Sequence, residues 1–138
     1  MQFRFLEHFS DFGKLFMRIG LGLSYMFIHG QSKIMGGPET WQGLGGRMSY
    51  VGIDFLHTFW GFMAAFAEFF GGLFLMLGLF YRPALFLLAI TMIVASIYHI
   101  ADGDPITTTS HSMKMAIVFI GMIFMSPGKF SLDRKVFR

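Results

Sequence analysis

Glu68 lies near the middle of a long apolar stretch, residues 55–81, in which His57 is the only other residue able to carry a charge near neutral pH. The stretch exceeds the roughly 20 apolar residues that a helix needs to cross a bilayer. A carboxylate at the centre of a bilayer costs at least ~2.5 kcal/mol on insertion scales, so it is expected to have a partner or a chemical task. Carboxylates and histidines exchange protons, and lysine can hold the oxygen atoms of a ligand.

Helical spacing brings further polar side chains toward the same interior. Tyr25, His29 and Lys33 follow one another in steps of four residues, which places them on one face of a helix. Glu68 shares its own helical face with several glycines and alanines, and small residues permit close helix packing in membranes. The candidate catalytic residues are therefore Glu68, His29 and His99, and the candidate ligand-binding residues are Tyr25, Lys33, His111 and Lys114.

Three kinds of interior site agree with these residue types. In the first, Glu68 pairs with a lysine or histidine of another helix and only fixes the packing. In the second, Glu68 and the histidines exchange protons with a small molecule held between aromatic walls. In the third, they bind a metal ion, but no HxxxH or HxxE pair occurs in the chain, so no metal site is predicted.

The residues before the last apolar stretch suggest an anion-binding end. The sequence TTTS at 107–110 is predicted to cap the start of a helix, where free N–H groups attract anions. Basic residues gather at this end while Glu68 is the only acid at depth, so the pocket would suit the carbonyl oxygens of a quinone or a small oxyanion. A plain helix cap without a ligand explains the same segment. Asp102 and Asp104 are expected to be solvated loop carboxylates.

The composition indicates a membrane protein. The chain has 138 residues, of which 54% are hydrophobic, with 19 Phe and 12 Met. This is too apolar for a soluble domain of that size. Cysteine is absent, which excludes disulfides and thiol chemistry, so any redox reaction would need a bound cofactor. The apolar composition makes the lipid bilayer the expected partner. The net charge is only +3, and no nucleic acid is expected as a partner.

Four apolar segments predict an all-α fold. They run over about 12–35, 56–80, 84–101 and 110–126, and together they predict one transmembrane domain over 1–138, a four-helix bundle. Pro83 suits the first helical position of the third span. In the first outer loop, Pro38, Glu39 and Trp41 begin a helical pattern that predicts a short helix at the membrane interface.

The distribution of basic residues predicts the orientation of the spans. Eight of the 11 Lys and Arg residues fall on the side that holds both termini and the second loop, and three fall on the other side. Cytoplasmic loops carry the excess of positive charge, so both termini are predicted to be cytoplasmic.

Several segments resemble the DoxX family of small four-helix membrane proteins. They are RIGLGLSYMFIHGQSK at 18–33, AAFAEFFGGLFLMLGLFYRPA at 64–84, MIVASIYH at 92–99 and GKFSLD at 128–133. The resemblance covers nearly the whole chain and implies a protein of the bacterial inner membrane. Some family members are linked to thiosulfate:quinone oxidation, to membrane oxidoreductase complexes or to quinone and oxidative-stress responses. The resemblance also implies site positions at His29, Lys33, Glu68, Arg82 and His99, and so adds Arg82 to the cofactor-binding candidates.

Two classes of function follow. In the first, the protein is redox-associated and holds a quinone or a small redox or anionic ligand near Glu68, as a membrane oxidoreductase or a subunit of one. It would then work with a soluble or membrane redox partner, and the bundle could form a homo-oligomer. In the second, it is a non-catalytic membrane subunit or assembly factor whose polar interior is structural. A small transporter is disfavoured because no inverted repeat is visible.

Overall fold

A computed structural model of the chain describes residues 4–137, and within that range it contains helices and turns but no strand. The predicted all-α class is therefore confirmed. In chain order the elements are α1 Arg4–Glu7, α2 Ser10–Leu23, a π-helical segment Ser24–Gly30, α3 Gln31–Met35, α4 Gly37–Gly46, a 3₁₀ segment Arg47–Val51, α5 His57–Leu77, α6 Tyr81–Ala101, α7 Ile106–Ile123 and α8 Asp133–Val136.

Helices α5 and α6 are the two elements long and apolar enough to cross a membrane by length and composition, with mean hydropathies of 1.6 and 2.2. Each has 21 residues, or about 31 Å at 1.5 Å per residue, which matches the hydrocarbon core of a bilayer. The first predicted span corresponds to α2, the π segment and α3, which follow one another without a break and are called here the N-terminal rod. The fourth corresponds to α7.

Two helix starts differ from the sequence prediction. Helix α6 begins at Tyr81, so Pro83 occupies its third position and not its first. The cause lies in the C-terminal tail, where the Asp133 carboxylate accepts hydrogen bonds from Phe80 N at 2.7 Å and Tyr81 N at 2.8 Å. This carboxylate supplies the acceptors that the first helical N–H groups need, and it adds three residues to the predicted helix.

Helix α7 begins at Ile106, directly after the extended Pro105, and ends at Ile123 and not at residue 126. The predicted cap at 107–110 is therefore wrong, because these residues already lie in the first turns. The hydroxyls of Thr109 and Ser110 donate back to the carbonyl oxygens of Pro105 and Thr107. Serine and threonine commonly bond to the preceding turn when they lie inside a helix.

Glycines allow the helices to pack at backbone distance. A methyl group at Gly22 of the N-terminal rod would lie 2.5 Å from the carbonyl oxygen of Gly72 in α5. A methyl group at Gly45 of α4 or Gly61 of α5 would collide with the backbone of the other helix, at His57 and Trp41. The short helix predicted in the first loop is confirmed as α4, and it packs directly on α5.

The buried core and the outer surface are both apolar. Tyr25, Leu75, Leu85, Leu88 and Phe119 are among the residues that fill the centre of the bundle. Large apolar side chains also cover the outside, and Phe16, Ile28, Ile117 and Phe124 are each more than two thirds exposed. Soluble monomers seldom expose such extensive apolar surface, whereas lipid-facing helices are expected to do so.

At one end of the bundle, Arg18 joins three parts of the chain. Arg18 is 1% exposed, and its guanidinium donates to the carbonyl oxygens of Leu75 and Met76, in the last turn of α5, and of Pro127 and Phe130, in the tail. The last carbonyls of a helix lack partners within it, so this arginine supplies them. We call these contacts the Arg18 junction.

Candidate functional site

A cavity of about 380 Å³ lies in the bundle toward the other end of the N-terminal rod. Four long helical stretches contribute walls, and α4 with the 3₁₀ segment covers it with Leu44, Arg47 and Met48. Half of the lining residues are aliphatic or methionine. The ionisable or hydroxyl-bearing side chains of the lining are His29, Lys33, Arg47, Glu68, Thr91, His99, Thr108, His111 and Ser112.

Lys33 and Glu68 form the central ion pair of this cavity. Lys33 Nζ donates to both carboxylate oxygens of Glu68, at 2.8 and 2.6 Å. The Glu68 side chain is 3% exposed and that of Lys33 is 28% exposed. An ammonium group has three N–H donors, so Lys33 keeps one donor beyond those given to Glu68. Trp41 Nε1 donates to Lys33 O at 2.9 Å and so ties α4 to the N-terminal rod beside the pair.

Two histidines stack on one side of the cavity. The rings of His29 and His111 lie 5.3 Å apart and nearly parallel, and the ring of Tyr25 lies 5.0 Å from His29. Tyr25 itself is buried, and its hydroxyl donates to Met92 Sδ at 3.2 Å. A column of rings thus leads from the core to two histidines that line the cavity.

His99 forms a second polar pair where α6 ends. Its Nδ1 lies 2.6 Å from Asp104 Oδ2. The prediction that Asp104 is a solvated loop carboxylate is therefore wrong, because it is half-buried and holds this ring. A carboxylate on Nδ1 fixes the ring and its tautomer, which leaves Nε2 to accept or donate a proton. Asp102, in contrast, is exposed as expected.

The cover of the cavity is fastened to the end of α6. The Arg47 guanidinium lies 4.4 Å from the centre of the Tyr98 ring, a cation–π contact. The Tyr50 hydroxyl donates to Asp102 Oδ1 at 3.2 Å. The hydrogen bond to Asp102 and the negative charge of that carboxylate raise the pKa of Tyr50. Tyr50 therefore stays a neutral donor, and the 3₁₀ segment is held over the cavity.

Not all predicted site residues line this cavity. Glu68, His29, His99, Lys33 and His111 do. Tyr25 lies behind His29 in the core, Lys114 is exposed, and Arg82 is exposed at the end that holds the Arg18 junction. Arg82 Nε donates to Ile123 O at 3.3 Å. On α7, Ser112 is buried beside the cavity and accepts a hydrogen bond from Ser96 at 2.9 Å.

Trp60 also lines the cavity and was not among the predicted residues. Its Nε1 is a buried donor without an acceptor among residues 4–137. A buried polar group without a partner is unusual and calls for an explanation. The sequence does contain a signal, because Trp60, Ala64 and Glu68 follow one another in steps of four on one helical face. Arg47 has no such signal, since its place depends on how the first loop folds.

Sequence comparisons relate the chain to known proteins. The sequence model of the DoxX family matches residues 13–100. A protein of Haemophilus influenzae, described as an uncharacterized protein, is 31% identical over 140 residues that cover 96% of this chain and 97% of the relative. No solved structure matches the chain. The match to the family covers more than half of the chain, and the helices are apolar on their outer faces; the chain is a helical membrane protein that belongs to the DoxX family.

Proposed function

We propose that this protein binds a quinone, or a small redox-active or anionic ligand, in the cavity beside Lys33 and Glu68, and that it acts in or beside an electron-transfer system. The observation that supports this proposal is the convergence of an ion pair and three histidines on one largely apolar cavity. A few polar groups that converge on an apolar cavity are the usual form of a small-molecule site.

In this proposal the side chains have distinct roles. The remaining Lys33 donor binds a carbonyl or anionic oxygen of the ligand, while Glu68 accepts the other donors and holds the ammonium group beside the cavity. His29 and His99 exchange protons with the ligand. Electrons come from a soluble or membrane-bound redox partner. The protein is thus an oxidoreductase or a subunit of one.

A binding titration tests this proposal. Short-chain quinone analogues and small oxyanions are titrated onto the purified protein and onto Lys33→Gln and His29→Gln. We expect each substitution to weaken binding about tenfold or more, which corresponds to ~1.4 kcal/mol. Lys114→Gln is the matched control and is expected to bind as the wild type does, because Lys114 is exposed and does not line the cavity.

The second candidate function is that of a non-catalytic membrane subunit or assembly factor. It is supported by the Lys33–Glu68 pair, which satisfies both carboxylate oxygens without a ligand. If no quinone analogue and no oxyanion binds the wild-type protein, this function replaces the first. The apolar outer faces would then contact a partner protein or a second copy of the chain.

We further propose that the chain forms a four-span bundle of the bacterial inner membrane with both termini in the cytoplasm. The N-terminal rod of residues 10–35 and the 18-residue α7 are long enough to serve as the first and fourth spans beside α5 and α6. The excess of Lys and Arg on the side of the termini supports this orientation.

Cysteine labelling tests the orientation, and the absence of native cysteine makes each introduced thiol the only one in the chain. Gln42 in α4 and Lys135 in α8 are both exposed. We expect Gln42→Cys to react with a membrane-impermeant maleimide in intact cells and Lys135→Cys to react only after lysis. The reverse pattern would place the cavity at the cytoplasmic end.

A further inference from the structure

The cavity extends between α5 and α6 to the outer surface of the bundle. Ile90 lines the cavity and is also 56% exposed. Leu87 and Val94, one turn to either side, are partly exposed and also line it. Side chains that belong to both surfaces mark an opening, and we call these three residues the lateral opening.

Small side chains account for this opening. Ala64 and Ala67 on α5 and Thr91 and Ala95 on α6 line the space between the two helices. Short side chains leave a gap where larger ones would close the contact. Residues 87–95 follow a helical stripe about 12 Å long at 1.5 Å per residue, so the gap extends over about two turns of α6.

The two ends of the gap differ in chemistry. Lys33, Glu68 and His29 lie at the interior end, whereas Leu87, Ile90 and Val94 lie at the exit. Trp60 adds a buried indole N–H without an acceptor in the part of the chain that the structure describes. A molecule that fits both ends has a head with oxygen acceptors and a hydrocarbon tail.

The end of the cavity away from the Arg18 junction is covered. Leu44, Arg47 and Met48 lie across it, and the contacts of Arg47 with Tyr98 and of Tyr50 with Asp102 hold that cover in place. A water-soluble anion would have to displace these contacts, whereas a molecule dissolved in the bilayer meets the lateral opening directly. The exit lies on α6, whose mean hydropathy of 2.2 exceeds the 1.6 of α5.

We propose that the ligand enters from the bilayer between α5 and α6, with its oxygen-bearing head at Lys33 and its hydrocarbon tail extending past Ile90. This inference rests on the proposed function and narrows the ligand class to membrane-dissolved amphiphiles. Prenylated quinones and fatty acids both have this chemistry, and the experiment below separates them.

The test uses the wild-type chain in lipid nanodiscs, so it does not depend on a variant that folds. A long-chain quinone and a fatty acid, each with a photoreactive diazirine near the end of the tail, are cross-linked, and the labelled residues are located by mass spectrometry. We expect saturable labelling within residues 87–94 of α6 and at Met63 of α5, which lines the same cavity. Each labelling is then competed with the unlabelled form of the same molecule. The molecule that abolishes labelling at the lower competitor concentration identifies the preferred head group.

Blocking variants give a second measurement. Ala64→Phe and Ala95→Phe narrow the gap, and Ile117→Phe on the exposed face of α7 is the matched control. We expect the tail-bearing ligand to bind either blocked variant at least tenfold more weakly, while the control binds it as the wild type does. The affinity of the tailless head, benzoquinone or acetate, is expected to fall less than that of the tail-bearing ligand.

The outcomes separate the two proposals. Saturable labelling that maps to residues 44–48, or equal affinity for tail-bearing and tailless ligands, overturns lateral entry and leaves the proposed function standing. Absence of saturable binding by every probe overturns both. Labelling spread evenly over the outer faces of the N-terminal rod and α7 shows nonspecific partition into the lipid and also overturns lateral entry.

Discussion

Replacing Lys33 with methionine is expected to destabilise the protein by about 3–5 kcal/mol, because it leaves the Glu68 carboxylate buried without its counter-charge. Glu68→Gln is expected to cost less, about 1–3 kcal/mol. The reason for the difference is exposure: the Lys33 side chain is 28% exposed and can extend its ammonium toward water, whereas the carboxylate is 3% exposed. Thermal and denaturant unfolding in one detergent would measure both variants.

The double variant Lys33→Met/Glu68→Leu is the control for this prediction. It removes both charges and keeps the volume, so its stability is expected to return to near that of the wild type. A larger loss for Glu68→Gln than for Lys33→Met would contradict this account. It would mean that the lysine, and not the carboxylate, is the group that cannot be solvated alone.

Arg18→Met is expected to lower the free energy of unfolding by the second largest amount. The substitution removes the guanidinium donor from the carbonyl oxygens of Leu75, Met76, Pro127 and Phe130, of which Leu75 O keeps the Gly78 N–H at 3.1 Å. A buried acceptor without a partner costs about 1–3 kcal/mol, so the loss is several kcal/mol unless water reaches the junction. Arg18→Lys keeps the charge but not the planar set of donors, and an intermediate loss is expected.

Arg82→Met is the matched control for Arg18, since Arg82 is exposed and makes one long hydrogen bond to Ile123 O, at 3.3 Å. This substitution is expected to change the free energy of unfolding by no more than about 0.5 kcal/mol. Limited trypsin digestion gives an independent measurement, because the exposed Lys129 lies in the tail that Arg18 holds. Equal digestion of the Arg18 and Arg82 variants would show that the junction does not hold the tail.

Much of the site could be predicted because it depends on helical periodicity. Glycines and alanines on the face of Glu68 indicated that it points inward, and spacing in steps of four brought Tyr25, His29 and Lys33 together. Among the candidate partners of Glu68, Lys33 is the one that the structure pairs with it. Such features follow from local geometry, which a single sequence contains.

The features that were missed depend on contacts between distant parts of the chain. Asp133 caps α6 from a position about fifty residues further along, and no local pattern indicates such a contact. The bond between His99 and Asp104 requires the turn after α6 to fold back on that helix. Lys114 was placed inward because it was assigned to the same helical face as His111, whereas the buried face of α7 runs through Thr109, Ser112 and Ala116.

The winding of residues Ser24–Gly30 has a consequence for the charge balance of the cavity. A π-helix forms i→i+5 hydrogen bonds, so each of its turns takes up about one residue more than an α-turn. Residues beyond the segment are therefore rotated relative to a continuous α-helix by about the 100° that separates neighbouring α-helical residues. The direction in which Lys33 leaves the rod, and with it the neutralisation of Glu68, therefore depends on the local pitch of the backbone as well as on the four-residue spacing from His29.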